Sequence, residues 1–320
     1  MIYVVGHRNP DTDSICSAIG YARLRNACGD LDVRPARAGE LNAETTFVLR
    51  SFDVPVPQLL TDATGLQLIL VDHNEVGQAI PHLERAEILE VWDHHRLGDL
   101  RPPKPIFFHT EPVGTTATLI GELYFVRGVA PTRAVAGILL AAILSDTVLF
   151  RSPTATSKDR TVASQLTPLA GVDPMAFGQQ MLEIKIASFE HERPAQIVRR
   201  DFKEFLFGGQ RVGIAQVEVM HPDSISAQRP EILREMRAHR EALGLTAFLL
   251  LITDVQRKAS DLWFVGGRPE LVEQAFGRLE DGAIHLPGVM SRKLQVVPRL
   301  AATFARAEEM HEARAAMAAS

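Results

Sequence analysis

Residues 2–14 have the sequence IYVVGHRNPDTDS, in which a short apolar segment leads into a loop with one histidine and two aspartates. Ile2–Val5 has the apolar, β-rich character of a buried strand, and a segment of helical composition follows the loop. Two more short apolar runs, Gln67–Val71 and Ile88–Trp92, alternate with helical segments up to about residue 187. This alternation predicts an α/β fold built on a parallel sheet.

The alternation stops near residue 188, where the chain becomes polar and charged. We interpret residues 188–198 as a linker between a first domain, residues 1–187, and a second domain, residues 199–310. The second domain contains strand-like runs such as Gln210–Val219 and helical runs such as Pro230–Leu243. It is therefore predicted to be a smaller α/β domain with a mixed sheet.

Length and composition are those of an ordinary globular protein: the chain has 320 residues, of which 46% are hydrophobic and 23% are charged. Lys and Arg total 34 and Asp and Glu total 39, which gives a net charge of −5. This balance argues against nucleic-acid and membrane-surface partners, since both require a basic face. Taken alone, it also argues against a polyanionic substrate.

Three features predict a cytoplasmic location. Cys16 and Cys28 are too few for a disulfide framework. The first residues lack the basic and apolar regions of a signal peptide. The longest apolar run, Ala134–Leu144, is shorter than the roughly 18 residues that a transmembrane helix needs.

Four clusters of Asp and His follow apolar runs. Three of these runs we expect to be strands, and the fourth, Leu139–Leu144, we expect to pass from helix to strand before Asp146. The members of the clusters are His7, Asp11 and Asp13; Asp72 and His73; Asp93, His94 and His95; and Asp146. Each residue by itself could serve a local purpose, as when Asp13 or Ser14 caps the helix that follows. Because the carboxyl ends of parallel strands meet at one edge of a sheet, the four clusters together predict a divalent-metal site.

The ligand types narrow the choice of metal. The clusters offer carboxylates and imidazoles but no thiolate, which suits Mn²⁺, Mg²⁺ or Co²⁺ better than structural Zn²⁺. They exceed what one ion needs, so we expect a pair of ions about 3.5–4 Å apart, with a water between them that is deprotonated near neutral pH. The negative net charge then no longer excludes an anionic substrate, because bound cations make the acidic cluster locally positive.

Candidate cations for such a substrate lie in the predicted second domain. Arg292 and Lys293 follow Leu286-Pro287-Gly288, so we expect a tight turn to present them side by side, and Lys203 lies near the entry to the domain. Solvated surface charges are the alternative interpretation of all three. Together they have the chemistry of a phosphate-binding group, in which Arg supplies bidentate geometry and Lys a point charge.

Five segments carry a family resemblance: Gly6–Asp13, Asp72–Asn74, Asp93–His95, Ser145–Thr147 and Ser291–Pro298. In this order they resemble the DHH phosphoesterase superfamily, and most closely the family II, manganese-dependent inorganic pyrophosphatases. The Asp-His-His triplet alone is a weak signal, but the Ser-Arg-Lys segment restricts the resemblance to the branch with a DHHA2-type second domain. The resemblance implies an active site in the cleft between the two domains.

The resemblance also implies which residues act at that site. One metal ion would be held by His7, Asp11 and Asp72, and the other by Asp13, Asp72, His94 and Asp146, with Asp72 bridging. The implied catalytic residues are His95, Asp13 and Asp72, of which His95 is the best candidate for the general acid. Substrate would bind to His95, Lys203, Arg292 and Lys293, while Asp93 and His73 would orient ligands.

The implied cofactors are two Mn²⁺ ions per subunit, for which Co²⁺ or Mg²⁺ can substitute, with further Mg²⁺ arriving with the substrate. The implied partner is pyrophosphate, and the implied assembly is a homodimer formed through the first domain, with no nucleic-acid or membrane partner. One departure from the family pattern is Leu294, which stands where many relatives have a second Lys. The substrate-binding group then has one positive charge fewer, so we expect a lower affinity for substrate and the same reaction class.

We therefore expect a hydrolase that splits inorganic pyrophosphate into two orthophosphates with a hydroxide activated by two metal ions. The alternative within the superfamily is a short-chain exopolyphosphatase, which would share the metal site. A metal-dependent binding protein without turnover is the alternative from another class, and it gives no reason for the surplus of carboxylates.

Overall fold

The computed structural model describes residues 1–30, 32–190, 193–219, 222–255 and 257–319. It divides into two compact units, Met1–Lys185 and Ile186–Ser320. The segment predicted as a linker, residues 188–198, contains the end of one helix and all of a short one, and its residues 191 and 192 lie outside the described ranges. The domain bounds given above stay a prediction.

A sheet of six parallel strands forms the centre of the first unit. The strands are β1 (Ile2–Val5), β2 (Val33–Arg37), β3 (Gln58–Leu59), β4 (Gln67–Val71), β5 (Glu87–Asp93) and β6 (Phe107–Thr110). Their order across the sheet is β3-β2-β1-β4-β5-β6. Leu68–Val71 of β4 is a continuous buried apolar run, as expected of a central parallel strand that is covered on both faces.

The helices of this unit are α1 (Thr12–Ala27), α2 (Ala43–Ser51), α3 (Thr116–Val126), α4 (Arg133–Asp146), α5 (Ser157–Ala170) and α6 (Pro174–Glu190). Side-chain caps fix where several of them begin. The Ser14 N–H donates to Asp11 Oδ1 over 2.9 Å, so the residue that caps α1 is Asp11. The interpretation of Asp13 or Ser14 as this cap is therefore wrong, because the Asp13 carboxylate bonds to another helix.

The strand order places a topological switch point between β1 and β4. From β1 the chain goes to β2 on one side, whereas β4 begins the series that continues through β5 and β6 on the other. Ligands of open parallel sheets bind beyond the carboxyl ends of strands at such a point. The loop that carries His7 follows β1, and Asp72 follows β4.

The second unit contains β7 (Lys203–Phe207), β8 (Gln210–Val219), β9 (Ala247–Asp254), β10 (Ala259–Gly266) and β11 (Ala283–Pro287). Its helices are α7 (Pro194–Ile197), α8 (Asp223–Ala227), α9 (Arg229–Leu243), α10 (Pro269–Phe276) and α11 (Val297–Ala319), with a π-helical turn at Arg292–Val296. The strands form one sheet in the order β11-β10-β9-β8-β7, in which β8 and β9 are parallel and the other pairs antiparallel.

Both faces of this second sheet are covered by helices. Leu249 and Leu251 of β9 belong to one core cluster with residues of α10 and α11, and the alternate residues Phe248 and Leu250 belong to another with residues of α9. This alternation is the period of two that a strand imposes.

The predicted α/β class, with a parallel sheet followed by a mixed sheet, is confirmed. Four strands were not predicted, β3, β6, β7 and β11, and all four are edge strands with several exposed or half-buried side chains. In the described ranges, no helix has the length and apolar character that crossing a membrane requires.

Candidate metal centre

Six predicted ligands meet at the carboxyl edge of the first sheet, and we call them the metal cluster: His7, Asp11, Asp13, Asp72, His94 and Asp146. Most follow strand ends or begin α1, as the strand-end argument predicts. Asp146 does not, because it is the last residue of α4. The expectation that Asp146 lies at an equivalent strand end is wrong, and a helix terminus brings it to the same place.

One ligand group consists of His7, Asp11 and Asp72. Each of these residues offers a ligand atom within 4.8 Å of the others. His7 Nε2 lies 3.3 Å from Asp72 Oδ2 and 3.6 Å from Asp11 Oδ2. An octahedral divalent ion with metal–ligand bonds of about 2.1 Å has adjacent ligand atoms about 3.0 Å apart and opposite ones about 4.2 Å apart. The distances in this group are therefore compatible with one bound ion.

A second ligand group consists of Asp13, His94 and Asp146, with the same limit of 4.8 Å between ligand atoms. His94 Nδ1 donates a hydrogen bond to the Val113 carbonyl over 3.0 Å, which directs Nε2 toward the cluster. His94 Nε2 lies 3.4 Å from Asp72 Oδ1. Asp72 thus faces one group with Oδ2 and the other with Oδ1.

The backbone of Asp72 is left-handed, with φ of 61°. Asp tolerates this conformation better than most residues, but it persists only where the surroundings determine it. The Asp72 N–H donates to the Trp92 carbonyl over 2.9 Å, and Thr116 Oγ1 donates to Asp72 Oδ1 over 3.2 Å. These bonds hold a buried carboxylate between the two ligand groups.

The orientation of Asp13 comes from the N-terminus of α3. The N–H groups of Thr116 and Ala117 donate to the Asp13 carboxylate over 2.6 and 2.8 Å, and Ser17 Oγ donates over 2.9 Å. A helix N-terminus stabilises such a carboxylate through its unpaired N–H groups and its dipole. Sequence reasoning missed this contact, which joins residues about one hundred positions apart.

Asp159 in turn holds the start of α3 in place. Its buried carboxylate accepts hydrogen bonds from the Gly114 N–H over 3.0 Å and from Thr118 Oγ1 over 2.6 Å. A Cβ on Gly114 would lie 2.9 Å from Asp159 Oδ2, so this close approach requires glycine. The sequence offered one signal for Asp159, its position three residues after Thr156 in a capping box.

Asp93 organises the triplet that ends β5. Its carboxylate accepts from the N–H groups of His94 and His95 over 2.7 and 3.1 Å and from His95 Nδ1 over 2.8 Å. A side-chain bond from Asn74 also reaches it. His95 is therefore fixed in the tautomer whose Nδ1 carries the proton toward Asp93, and its side chain is 25% exposed.

His73 is buried below the cluster. Its Nδ1 donates to the Val71 carbonyl over 2.9 Å, and its ring meets the His7 ring edge to face at 6.3 Å between centroids. Burial lowers the pKa of His73, so the ring is neutral. The contact with His7 is of the kind that orients a ligand, and the role stays a prediction.

The three predicted phosphate-binding residues lie in the second unit, and we call them the cation cluster: Lys203, Arg292 and Lys293. Lys203 is the first residue of β7 and pairs with Ile214 of β8. The Ile214 carbonyl accepts a hydrogen bond from Arg292 Nη1 over 3.2 Å. Lys203 and Arg292 therefore both adjoin Ile214.

Arg292 is 7% exposed, so the interpretation as a solvated surface charge is wrong for this residue. Its guanidinium donates to the Asp201 carboxylate over 2.9 Å and also bonds to the Asp201 carbonyl. The tight turn expected at Leu286-Pro287-Gly288 is present, since the Val289 N–H donates to the Leu286 carbonyl over 3.3 Å and Gly288 has φ of 73°. Arg292 and Lys293 themselves open a π-helical turn that Ser291 caps.

Two glutamines fix that turn. Gln295 Oε1 accepts from the N–H groups of Met290 and Ser291 over 2.9 and 3.0 Å, and Gln216 Oε1 accepts from the Arg292 N–H over 3.1 Å. Gln216 was not predicted, because it lies 76 positions from Arg292 within β8.

Relatives of known family match nearly the whole length of this chain. The manganese-dependent inorganic pyrophosphatase of Methanothrix thermoacetophila is 48% identical over 95% of this chain and 98% of its own length. The chain belongs to the manganese-dependent inorganic pyrophosphatase family. A second relative, the manganese-dependent inorganic pyrophosphatase of Methanocaldococcus jannaschii, is 42% identical over 94% of this chain and 98% of its own length.

Family models and a solved structure agree with this membership. The N-terminal domain of the DHH family matches residues 1–143, and the DHHA2 domain matches residues 179–303. A crystal structure from Methanococcus jannaschii, assigned to the family II inorganic pyrophosphatases, superposes with a TM-score of 0.87 and 41% identity, covering 95% of this chain and 99% of that one. The family resemblance stated from the sequence is confirmed.

The electrostatics of the metal cluster fit the manganese of this pyrophosphatase family. Burial, and then the nearby Asp72 carboxylate, raise the pKa of Asp13 to about 7. Burial, and then the carboxylates of Asp11 and Asp13, raise the pKa of Asp146 well above its usual range. Negative charge is thus in excess, which a divalent cation would neutralise, and the oxygen and imidazole donors are those that Mn²⁺ accepts.

The imidazoles offset only part of this excess. Burial would raise the pKa of Asp72, but the hydrogen bonds from His7 and His94 outweigh burial and hold that pKa well below its usual range. Burial opposes the charge on His7, yet Asp11 and Asp72 outweigh it and raise the pKa of His7 to about 10. Protons therefore occupy the places that metal ions would take, and metal binding must release them.

Proposed function

We propose that this chain hydrolyses inorganic pyrophosphate to two orthophosphates with the help of two divalent metal ions, Mn²⁺ being the metal named for its relatives. The observation that carries the proposal is the position of Asp72, whose two carboxylate oxygens face two separate ligand groups. A bridging carboxylate between two ions is the arrangement used for in-line phosphoryl displacement.

In this proposal His7, Asp11 and Asp72 hold one ion, and Asp13, Asp72, His94 and Asp146 hold the other. When bound, the ions would supply Lewis acidity, which neutralises phosphate charge and lowers the pKa of water. Asp13 and Asp72 thus act catalytically through the position they give to the ions. Co²⁺ or Mg²⁺ can occupy the same donors, and further Mg²⁺ arrives with the pyrophosphate.

In its doubly protonated form, His95 would contact the substrate and give its Nε2 proton to the leaving phosphate, while the Nδ1 proton stays on the bond to Asp93. The support is its partly exposed ring, fixed by the bond from Nδ1 to Asp93. With one ring nitrogen held in this way, the other is the nitrogen that exchanges a proton with a ligand.

Lys203, Arg292 and Lys293 bind the phosphates. Arg292 supports this role because its guanidinium is held in a fixed plane by Asp201 and Ile214, which lowers the entropy lost when it binds an anion. Lys203 adjoins the same strand position.

We further propose a cytoplasmic homodimer formed through the first unit, with no nucleic-acid or membrane partner. Both cysteines are free thiols, which suits a reducing compartment. Sedimentation equilibrium of the purified chain tests the dimer: a mass of one chain at micromolar concentration would contradict it.

Phosphate release from pyrophosphate tests the main proposal. With Mn²⁺ the purified chain should release two phosphates per pyrophosphate, and an excess of EDTA should abolish the release. Tripolyphosphate is the comparison substrate, because a short-chain exopolyphosphatase would prefer it. Faster turnover of tripolyphosphate, or release that EDTA does not affect, would contradict the proposal.

A further inference from the structure

Glu44 is a buried carboxylate that neither ligand group contains. It lies in the first turn of α2 and is 4% exposed. Its carboxylate accepts hydrogen bonds from Thr12 Oγ1 over 2.9 Å and from Ser145 Oγ over 2.9 and 3.0 Å. A carboxylate costs free energy to bury unless such bonds compensate, so its place in the fold calls for an explanation.

The two hydroxyl partners lie beside metal ligands. Thr12 stands between Asp11 and Asp13 at the start of α1, and Ser145 immediately precedes Asp146 at the end of α4. Thr12 is 32 positions from Glu44 in the sequence, and Ser145 is 101 positions from it. One carboxylate therefore joins the two chain segments that supply Asp13 and Asp146 to the same ligand group.

Asp13 and Asp146 need such a connection for different reasons. Asp13 is oriented directly by the N-terminus of α3 and by Ser17. Asp146 is placed by the end of α4, so its distance from Asp13 depends on how that helix terminus is held against α1. When they are ionised, the carboxylates of Asp11, Asp13 and Asp146 repel one another, and this repulsion acts to move the two segments apart.

We propose that Glu44 is a positioning residue for the ligand group of Asp13, His94 and Asp146. By accepting from Thr12 and Ser145 together, it sets the separation of the two carboxylates and adds negative charge outside the ligand shell. Both effects raise the affinity of this group for a divalent cation. The inference rests on the proposed function, since it concerns the same metal cluster.

The alternative is that Glu44 merely stabilises α2, because acids in the first turn of a helix are favourable. The experiment is calorimetric titration of the metal-free Glu44→Gln chain with MnCl₂, together with its melting temperature. We expect two Mn²⁺ binding events in the wild-type titration, and the event that Asp146→Asn removes is the one that belongs to the ligand group of Asp13, His94 and Asp146. Glu231→Gln is the matched control, since Glu231 is an exposed glutamate in the first turn of α9.

Glu44→Gln should weaken the event that Asp146→Asn removes by about 10- to 100-fold and leave the other event within about threefold. The melting temperature of the metal-free chain should stay close to that of wild type, and Glu231→Gln should change neither event. Equal weakening of both events, or no weakening, would overturn the proposal. A lower melting temperature with unchanged Mn²⁺ affinities would show the purely structural role.

If Glu44→Gln does not fold, Ser145→Ala decides on the same criterion, because it keeps the carboxylate and removes one donor. The titration is also independent of turnover. A wild-type chain that binds two Mn²⁺ ions but releases no phosphate from pyrophosphate would defeat the proposed function, while the same isotherms would still test the position of Glu44.

Discussion

In the first unit, four carboxylates and two imidazoles converge in a cluster of buried and half-buried side chains that carries more negative charge than its own residues neutralise. In the second unit, the guanidinium of Arg292 is buried, but the Asp201 carboxylate offsets its charge and the Ile214 carbonyl accepts one of its hydrogen bonds. The first region therefore depends on ions from solution for its balance. In the second region, the chain itself supplies a carboxylate partner for its buried arginine.

The two regions also differ in how the chain assembles them. Strand ends at a topological switch point collect most of the metal cluster, so the topology itself brings these side chains together. The cation cluster is assembled by individual hydrogen bonds, such as those of Gln216 and Gln295. Changes in the first region should act through metal binding, and changes in the second through substrate affinity.

Asp72→Asn should have the largest effect, because it removes the carboxylate shared by both ligand groups. We expect turnover of pyrophosphate with Mn²⁺ to fall by on the order of 10³-fold, since a metal ion contributes several kcal/mol to stabilising the transition state. Steady-state phosphate release measures this. Asp62→Asn, at an exposed aspartate of the same unit, is the control. Wild-type turnover in Asp72→Asn would contradict the claim that the first region acts through metal binding.

Arg292→Lys should affect the second region alone. It keeps the charge but loses the planar fork, so kcat/KM for pyrophosphate should fall about 10- to 100-fold, as expected for the loss of hydrogen bonds to a charged group. Calorimetric titration with MnCl₂ should give the wild-type isotherm. A loss of Mn²⁺ affinity comparable to the loss of kcat/KM would show that the two regions do not act separately.

The charge excess of the first region predicts a pH dependence of metal binding. In the folded, metal-free chain, the pKa of Asp13 is raised to about 7 and that of His7 to about 10. Both groups therefore keep a proton at pH values at which the unfolded chain has already lost it. The stability that these groups give the folded chain falls as pH rises. Asp72, with its lowered pKa, affects stability only in more acidic solution.

Because Mn²⁺ must displace those protons, its affinity rises with pH. The increase in melting temperature on adding Mn²⁺ should be larger at about pH 8.5 than at about pH 6, by at least about 2–4 °C. Differential scanning calorimetry at fixed Mn²⁺ concentration measures it. An equal or smaller increase at the higher pH would contradict the assignment of protons to the metal cluster.

Leu294→Lys should have the smallest effect, and it tests whether positive charge in the second region governs substrate affinity. Leu294 is 47% exposed and follows Lys293 directly, so a lysine there adds charge beside the cation cluster. We expect the KM for pyrophosphate to fall by about two- to fivefold, the range of an exposed ion pair, and this gain to vanish at high salt. Leu294→Gln is the uncharged control, and an equal fall in its KM would rule out charge as the cause.

Much of the first region could be predicted from the sequence, because it depends on local patterns. The apolar run Gln67–Val71 is a strand as expected, and the acids and histidines at strand ends follow from the parallel topology. Asp146 was placed correctly in the cluster but for the wrong reason, since a helix terminus and not a strand end supplies it.

The remaining features depend on contacts between distant parts of the chain. Glu44 and Gln216 carry no motif that reveals their partners, and the capping box of Asp159 reveals Thr156 but not Gly114, which is 45 positions away. The π-helical turn at Arg292–Val296 was likewise beyond prediction, because side-chain bonds from Gln216 and Gln295 hold it. Edge strand β6 has an exposed Phe107, so its sequence lacks the alternation of buried apolar and exposed polar residues by which a strand is predicted.

Anomalous diffraction at the manganese absorption edge, from crystals of this chain grown with Mn²⁺, tests the central claim most directly. The account predicts two manganese peaks on either side of Asp72, one bound by His7 and Asp11 and the other by Asp13, His94 and Asp146. A single peak, or a peak to which Asp72 contributes no ligand, would contradict it.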